Sequence, residues 1–299
     1  MKNIASKLVA AIASISLAFA MVPCAWADSG KVVTLGADLT SDQRSEVLSF
    51  FGLSESDLND MTVITVTNTD EHNYCDASIP SEVTGSRTLS CSYIQPTTSG
   101  GINIRTANLT YVTSETLYNA LQTAGIENCN LVVTAPFEVS GTGALTGVFM
   151  AYEAQGNTID GSKAAAAVEE MYETAQLQSE YGDEIAEVIS DAKDQVVSAT
   201  STMSDDEIRA LIRQLASDHG IDLSDSDVDR ILSLLRTLES LDYDSNAFAS
   251  TLSSYLGDAS GILGAITNFF NSIANFFASL TGNGDILSGL NTDVFSLDQ

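Results

Sequence analysis

The chain has 299 residues, 12 of them basic and 40 acidic, for a formal net charge of −28, and 44% of it is hydrophobic. That length and apolar share suffice for one large core or two smaller ones. The charge excludes nucleic acids and anionic membrane surfaces as favourable partners, because its field repels polyanions, and it favours solubility.

The amino terminus reads as a targeting segment. Lys2 and Lys7 give a basic start, and Leu8–Phe19 is an apolar run broken only by Ser14 and Ser16. Ala25-Trp26-Ala27 has the small-x-small form of a cleavage site. Residues 1–27 are therefore expected to be a signal peptide, since the run is too short for a transmembrane anchor. Cys24 suggests a lipoprotein, but Pro23 before it suits that processing poorly. Cleavage would leave residues 28–299, with ten basic against 40 acidic residues, in a secreted or extracytoplasmic setting. Three cysteines would remain, Cys75, Cys91 and Cys129. They allow one bridge and one leftover thiol. Cys75–Cys91, closing a loop around Pro80 and Gly85, is the favoured pairing, with three buried thiols as the alternative. There is no CxxC or Cys/His set with zinc spacing.

Val32–Leu35 predicts a short strand. Thr40-Ser41 opens a helix with Val47, Leu48 and Phe51 on its apolar face. Gly52 followed by Leu53 is the sequence form of a Schellman cap. Met61–Thr67 is β-branched and predicts a strand. Asp70–Gly85 reads as a polar loop. Thr88–Gln95 and Ile102–Val112 read as a hairpin around the Pro96–Gly101 turn, with a register change near Ala107 that suits a bulge. Thr113-Ser114 to Gly125-Ile126 then repeats Thr40-Ser41 to Gly52-Leu53 at identical spacing, and the strand Leu131–Val133 follows. The pattern predicts a duplicated strand–helix–strand unit in a mixed α/β (α+β) amino-terminal domain, residues 28–156.

From Asn157 the signals are helical only, so residues 157–299 are expected to form an all-helical region. Asp183–Ala199 carries Ile185, Val188, Ile189, Ala192 and Val196 at helical spacing. Ser204 with Glu207 is a capping box, His219-Gly220 ends that helix, and Ser224 caps the next. Gly261–Leu280 is an apolar amphipathic helix whose other face is Asn, Ser and Thr without charge. It is too polar to span a bilayer. It either packs on its own neighbours or serves as a docking surface for a partner.

Blocks of this sequence resemble a family of secreted bacterial proteins catalogued as domain of unknown function 1002. They include VVTLGADLT (Val32–Thr40), LSCSYIQPT (Leu89–Thr97), NALQTAGI (Asn119–Ile126), APFEVSGTGALTG (Ala135–Gly147) and IDLSDSDVDRILSLL (Ile221–Leu235). The resemblance implies export and a shared architecture. It implies no activity, substrate or catalytic residue.

Ser140-Gly141-Thr142-Gly143 follows a strand and opens a helix, so these four residues are the candidate ligand-binding site: a helix amino terminus attracts anions. The spacing is neither the dinucleotide fingerprint nor a P-loop, and a capped turn is the plainer explanation. His72 and Cys75 sit too close along one loop to make a nucleophile–base pair. No serine-nucleophile frame exists, so no catalytic residue is assigned. Asp222, Asp225, Asp227 and Asp229 fail the EF-hand pattern because Arg230 and Arg236 stand where Gly and Glu are needed. No metal or other cofactor is assigned. The expected function is a secreted or envelope-associated binding protein whose partner is a protein or envelope component. The alternatives are an envelope hydrolase using carboxylates such as Glu138 or Glu153, or a calcium-dependent surface protein.

Overall fold

The structure, a computed structural model, describes residues 30–199, 201–241 and 285–295. The signal peptide expected at residues 1–27 and the helix expected at Gly261–Leu280 lie outside the described residues. A five-stranded mixed sheet in the order β2-β1-β3-β5-β4 carries the fold. Its strands are β1 (Val32–Gly36), β2 (Thr62–Val66), β3 (Cys91–Pro96), β4 (Ile102–Leu109) and β5 (Cys129–Val139). The pairs β1–β2 and β4–β5 are parallel, and β3 runs antiparallel to both of its neighbours. Nine α-helices among the described residues alternate with these strands or come after them: α1 (Ser41–Phe50), α2 (Asn68–Cys75), α3 (Ser81–Thr84), α4 (Ser114–Thr123), α5 (Thr142–Ala154), α6 (Gly161–Tyr181), α7 (Glu184–Val197), α8 (Asp205–Asp218) and α9 (Asp225–Glu239). A short helical turn, Asp285–Ser288, comes after them.

Both strand–helix–strand units are present, β1-α1-β2 and β4-α4-β5, each with a parallel pair. Their helices share one ending. Gly52 and Gly125 take φ of 71° and 83°, which spares a β-carbon clash. Leu53 N–H donates to Leu48 O and Ile126 N–H to Leu121 O, at 2.8 and 2.9 Å. The units place their helices against opposite sheet faces. Val32, Ile94, Leu131 and Val133 point toward α4, α5 and α6, whereas Val33, Leu35, Cys91, Tyr93 and Val132 point toward α1. Alternation along the strands sends successive residues to opposite faces, and both faces are apolar because both are covered.

Two readings need correction. No β3–β4 hairpin forms, since β5 lies between the two strands and pairs with both. The run Leu131–Ala135 is buried on both sides, which suits a central position better than an edge. The stretch 70–85 is not a loop. Thr67 and Asp70 form a capping box that starts α2, and Pro80 precedes α3. The register change near Ala107 is a bulge, with Asn108 at φ 60°.

The carboxy-terminal helices pack on each other through Leu177, Ile185, Val188, Ile189, Ile208, Ile212, Val228, Ile231 and Leu235. The residues of α6 serve both cores: Ala164, Ala167, Val168 and Met171 join the sheet face, while Ala166 and Leu177 join the helical core. Strands therefore stop before Asn157, but buried packing continues across it. Among the described residues no helix is long and apolar enough to cross a membrane.

Candidate functional site: the entry to α5

The candidate residues Ser140–Gly143 sit where β5 becomes α5. Gly141 takes φ 95°, and Thr142 and Gly143 are buried in the first turn. The orphan N–H groups of such a turn favour an anion. The chain places a carboxyl group of its own there: Thr142 Oγ1 donates to Glu71 Oε2 at 2.6 Å, and Glu71 is 2% exposed. Glu71 stands on α2, which the Thr67–Asp70 box starts. Burial raises its carboxyl above the ordinary value, against the hydrogen bond from Thr142, which lowers it. The sequence reading missed Glu71. Its signal was the capping box hidden in a polar stretch, followed by an acidic residue one position on.

The glycines of this segment serve close packing. A β-carbon on Gly143 would lie 2.7 Å from Thr88 Cγ2 and 2.8 Å from Glu71 Oε1, and one on Gly147 would lie 2.4 Å from Thr34 Oγ1. With hydrogens in both places, α5 settles on β1, β2 and β3. Ala144 N–H donates to Ser90 Oγ at 2.8 Å, and Ser92 Oγ donates to Ala144 O at 2.9 Å. Hydroxyls of β3 and its approach thus satisfy the helix end inside the core.

Just before this site β5 leaves the ladder. Ala107 pairs with Thr134 and Leu109 with Val139, so Ala135–Glu138 form an excursion on β5 opposite the single residue Asn108. It is held from below: Asn108 Nδ2 donates to Ala135 O at 2.8 Å, and Thr134 Oγ1 donates to Ala107 O at 3.1 Å. Phe137, at its tip, is 44% exposed.

The other candidates are dispersed. Cys75, Cys91 and Cys129 are buried free thiols, each pushed up to about 12 by burial. The expected Cys75–Cys91 bridge is not formed, because Cys75 belongs to the α5 face of the sheet and Cys91 to the α1 face. His72 is held by Asp76 Oδ1 at 2.7 Å and Gly85 O at 3.0 Å. Asp225, Asp227 and Asp229 meet Arg213, Arg230 and Arg209 at 2.5, 3.0 and 2.9 Å. Glu153 accepts from Tyr74 Oη at 2.6 Å. Glu138 precedes α5 while Glu153 lies near its far end, about 16 Å along the axis at 1.5 Å per residue. That distance is too long for a carboxylate pair to share one bond.

One polar cluster was absent from the sequence reading. Lys193 and Glu170, 2% and 0% exposed, form a 2.8 Å pair between α7 and α6. Thr123 Oγ1 donates to Glu170 Oε2, and Lys193 Nζ donates to Asn119 O, which ties α4 to both. Beside it on α7, burial and then the nearby Asp194 and Glu187 push Asp191 up to about 7.

The family described as "Protein of unknown function (DUF1002)" matches residues 35–255, which include the end of β1, the strands β2 to β5, the α5 entry and the four long helices after it. The chain belongs to this family. It is also similar to the "Uncharacterized protein YpuA" of Bacillus subtilis (strain 168), 35% identical over 216 residues, or 71% of this chain and 73% of that protein. No solved structure matches.

Proposed function

We propose that this member of the family is an exported, non-enzymatic interaction protein that docks on a protein or envelope component through the β5 excursion carrying Phe137. The exposed Phe137 on a braced loop is the observation that carries the reading. An exposed aromatic is ordinary by itself. This one stands on backbone fixed by Asn108, whose left-handed conformation costs energy in a non-glycine residue. An aromatic on a rigid platform loses little entropy on binding, which is what a binding anchor needs. The non-enzymatic part is supported by buried thiols, by a histidine engaged on both ring nitrogens, and by the separation of Glu138 from Glu153. Export is supported by the amino-terminal sequence pattern alone.

The test is site-specific photo-crosslinking in the native culture, with the probe at position 137 and, as control, at Val63, which is 39% exposed on β2. A discrete adduct from 137 and none from 63 supports docking. No adduct from 137, or the same adducts from both positions, overturns it. Sequencing the amino terminus of the extracytoplasmic protein checks export, with Asp28 expected first.

A further inference from the structure

The helices α4 and α7 meet through polar groups. Ser190 Oγ donates to Asn119 Oδ1 at 3.2 Å, and Lys193 Nζ donates to Asn119 O at 3.3 Å. Thr123 of α4 donates to Glu170, the ion partner of Lys193. The apolar residues of the two helices go elsewhere. Leu117 and Leu121 of α4 belong to the core on the sheet, whereas Ile185, Val188 and Ile189 of α7 belong to the helical core. Among the described helices only α6 contributes to both. A parting of α7 from α4 therefore breaks neither apolar core.

Polar groups at this joint lack partners. On α6, Thr174 and Gln178 continue the row begun by Glu170 at intervals of four. The Thr174 hydroxyl and both polar atoms of the Gln178 carboxamide are buried with no hydrogen-bond partner among the described residues. On α7, Asp191 is 8% exposed, and no hydrogen bond reaches its carboxyl or that of Asp194 among the described residues. Buried polar groups without partners disfavour the closed joint, because water would satisfy them on opening.

Charge works in the same direction. Burial, then Asp194 and Glu187 on the same helix, pushes Asp191 up to about 7. Glu187 in turn feels Glu184 of α7, Glu115 of α4, and His219 at the end of α8, 3.8 Å away. Burial pushes Asp194 up to about 6 against Lys193, with Glu170 of α6 adding to the rise. Among the described residues no charge on α9 acts on either aspartate. The closed joint thus favours the two acids and a hydrated joint favours the two anions. The preference for the closed joint is full below the ordinary aspartate value and is lost as pH rises through about 6 to 7.

We infer that the α4–α7 joint is a pH-operated contact: it is closed while Asp191 and Asp194 are protonated, and once both ionise α7 parts from α4 and tilts with α8 and α9 on α6. The sheet and both apolar cores stay packed in the open form. Opening of one weak joint below the free energy of global unfolding is the behaviour expected of a contact with unsatisfied groups and no apolar core of its own.

The test uses the full chain with spin labels on Gln122→Cys of α4 and Ser217→Cys of α8, the native cysteines being buried. Pulsed dipolar distances should show one population at pH 5 and a second at pH 8, its fraction rising about tenfold or more. With Asp191→Asn and Asp194→Asn together, the pH 5 distribution should persist at pH 8. If that pair does not fold, Asp191→Asn alone, which exchanges a neutral acid for a neutral amide, should show a smaller rise than wild type. Three outcomes would overturn the inference. One is the same distribution at both pH values. Another is an undiminished second population in the folded aspartate variants. The third is loss of far-UV circular dichroism at pH 8, which would make the change general unfolding.

Discussion

Thr142 Oγ1 and Glu71 Oε2 lie 2.6 Å apart although 71 residues separate them in the chain. The contact closes the amino terminus of α5 with a carboxyl group from α2, so the turn most suited to hold an anion is already occupied. A pH signature follows. Burial raises the Glu71 carboxyl, so its neutral form is the better folded one. The sign is that of a raised acid: the stability it contributes is full below the ordinary glutamate value of about 4.3 and is lost as pH rises through the folded value. Glu71→Gln removes that loss. In urea unfolding at pH 5 and pH 8, the variant should gain on wild type as pH rises. A constant or widening deficit would refute the assignment.

Glu71→Ala tests the capping role separately. It removes the acceptor for a buried hydroxyl at the helix end, a loss of about 1–3 kcal/mol. Added sulfate or acetate should restore part of that loss in thermal melts if the emptied site takes up an anion, and chloride at matched ionic strength should restore less. Equal recovery in all salts would show only general screening.

Much of the local structure was legible because its signals are local. The helix start at Thr40-Ser41, the box Ser204–Glu207 and the glycine stops at Gly52, Gly125 and Gly220 each lie within a few residues of the helix end they define. The bulge at Ala107 showed as a break in alternation. What escaped was nonlocal. Whether β3 pairs with β4 depends on where β5 enters the sheet, and two strands joined by a turn look like a hairpin in either case. Glu71 and Lys193 resembled solvent-facing charges, since only the tertiary fold buries them. Ser140–Gly143 do stand at a helix start, but the sequence could not show that a residue 71 positions before Thr142 lies against it.

Asp191 makes the second pH prediction. At 8% exposure it is pushed up to about 7 by burial, then by the charges of Asp194 and Glu187. The half-buried Asp194 follows at about 6, mainly through burial, although Lys193 beside it lowers the value. Both shifts have the same sign as that of Glu71, so the folded state should weaken between about pH 4 and 7 as these groups ionise. For Asp191 the loss is of order 1–3 kcal/mol, below the full value of a shift this size because the field relaxes on unfolding. Asp191→Asn should flatten the fall in melting temperature over that range. An unchanged slope would show that Asp191 titrates as an exposed residue.

The buried pair of Lys193 and Glu170 gives a test of coupling between two buried charges. Lys193→Met leaves the Glu170 carboxylate without its ion partner at a site from which water is excluded, a loss of about 3–5 kcal/mol. Replacing both, Lys193→Met with Glu170→Leu, removes the stranded charge and should recover most of the loss. Thr123 Oγ1 would then lack its acceptor, which caps the recovery at about 1–3 kcal/mol short of wild type. A double-mutant cycle by chemical denaturation measures the coupling. Additive losses would mean that the two groups do not interact in solution.

The last prediction contrasts two glycines. A β-carbon on Gly147 would lie 2.4 Å from Thr34 Oγ1 and 2.9 Å from Thr34 Cβ, and Thr34, in a central strand, is fully buried. Gly147→Ala must push α5 off β1, at about 1–3 kcal/mol. Gly161 opens α6, and nothing lies within 4 Å of a β-carbon placed there. Gly161→Ala adds helix propensity without a clash and should stabilise by up to about 1 kcal/mol. Thermal melts of the two variants should therefore move in opposite directions. If Gly147→Ala left the melting temperature unchanged, α5 would not sit as close to the sheet as the Gly147–Thr34 approach requires.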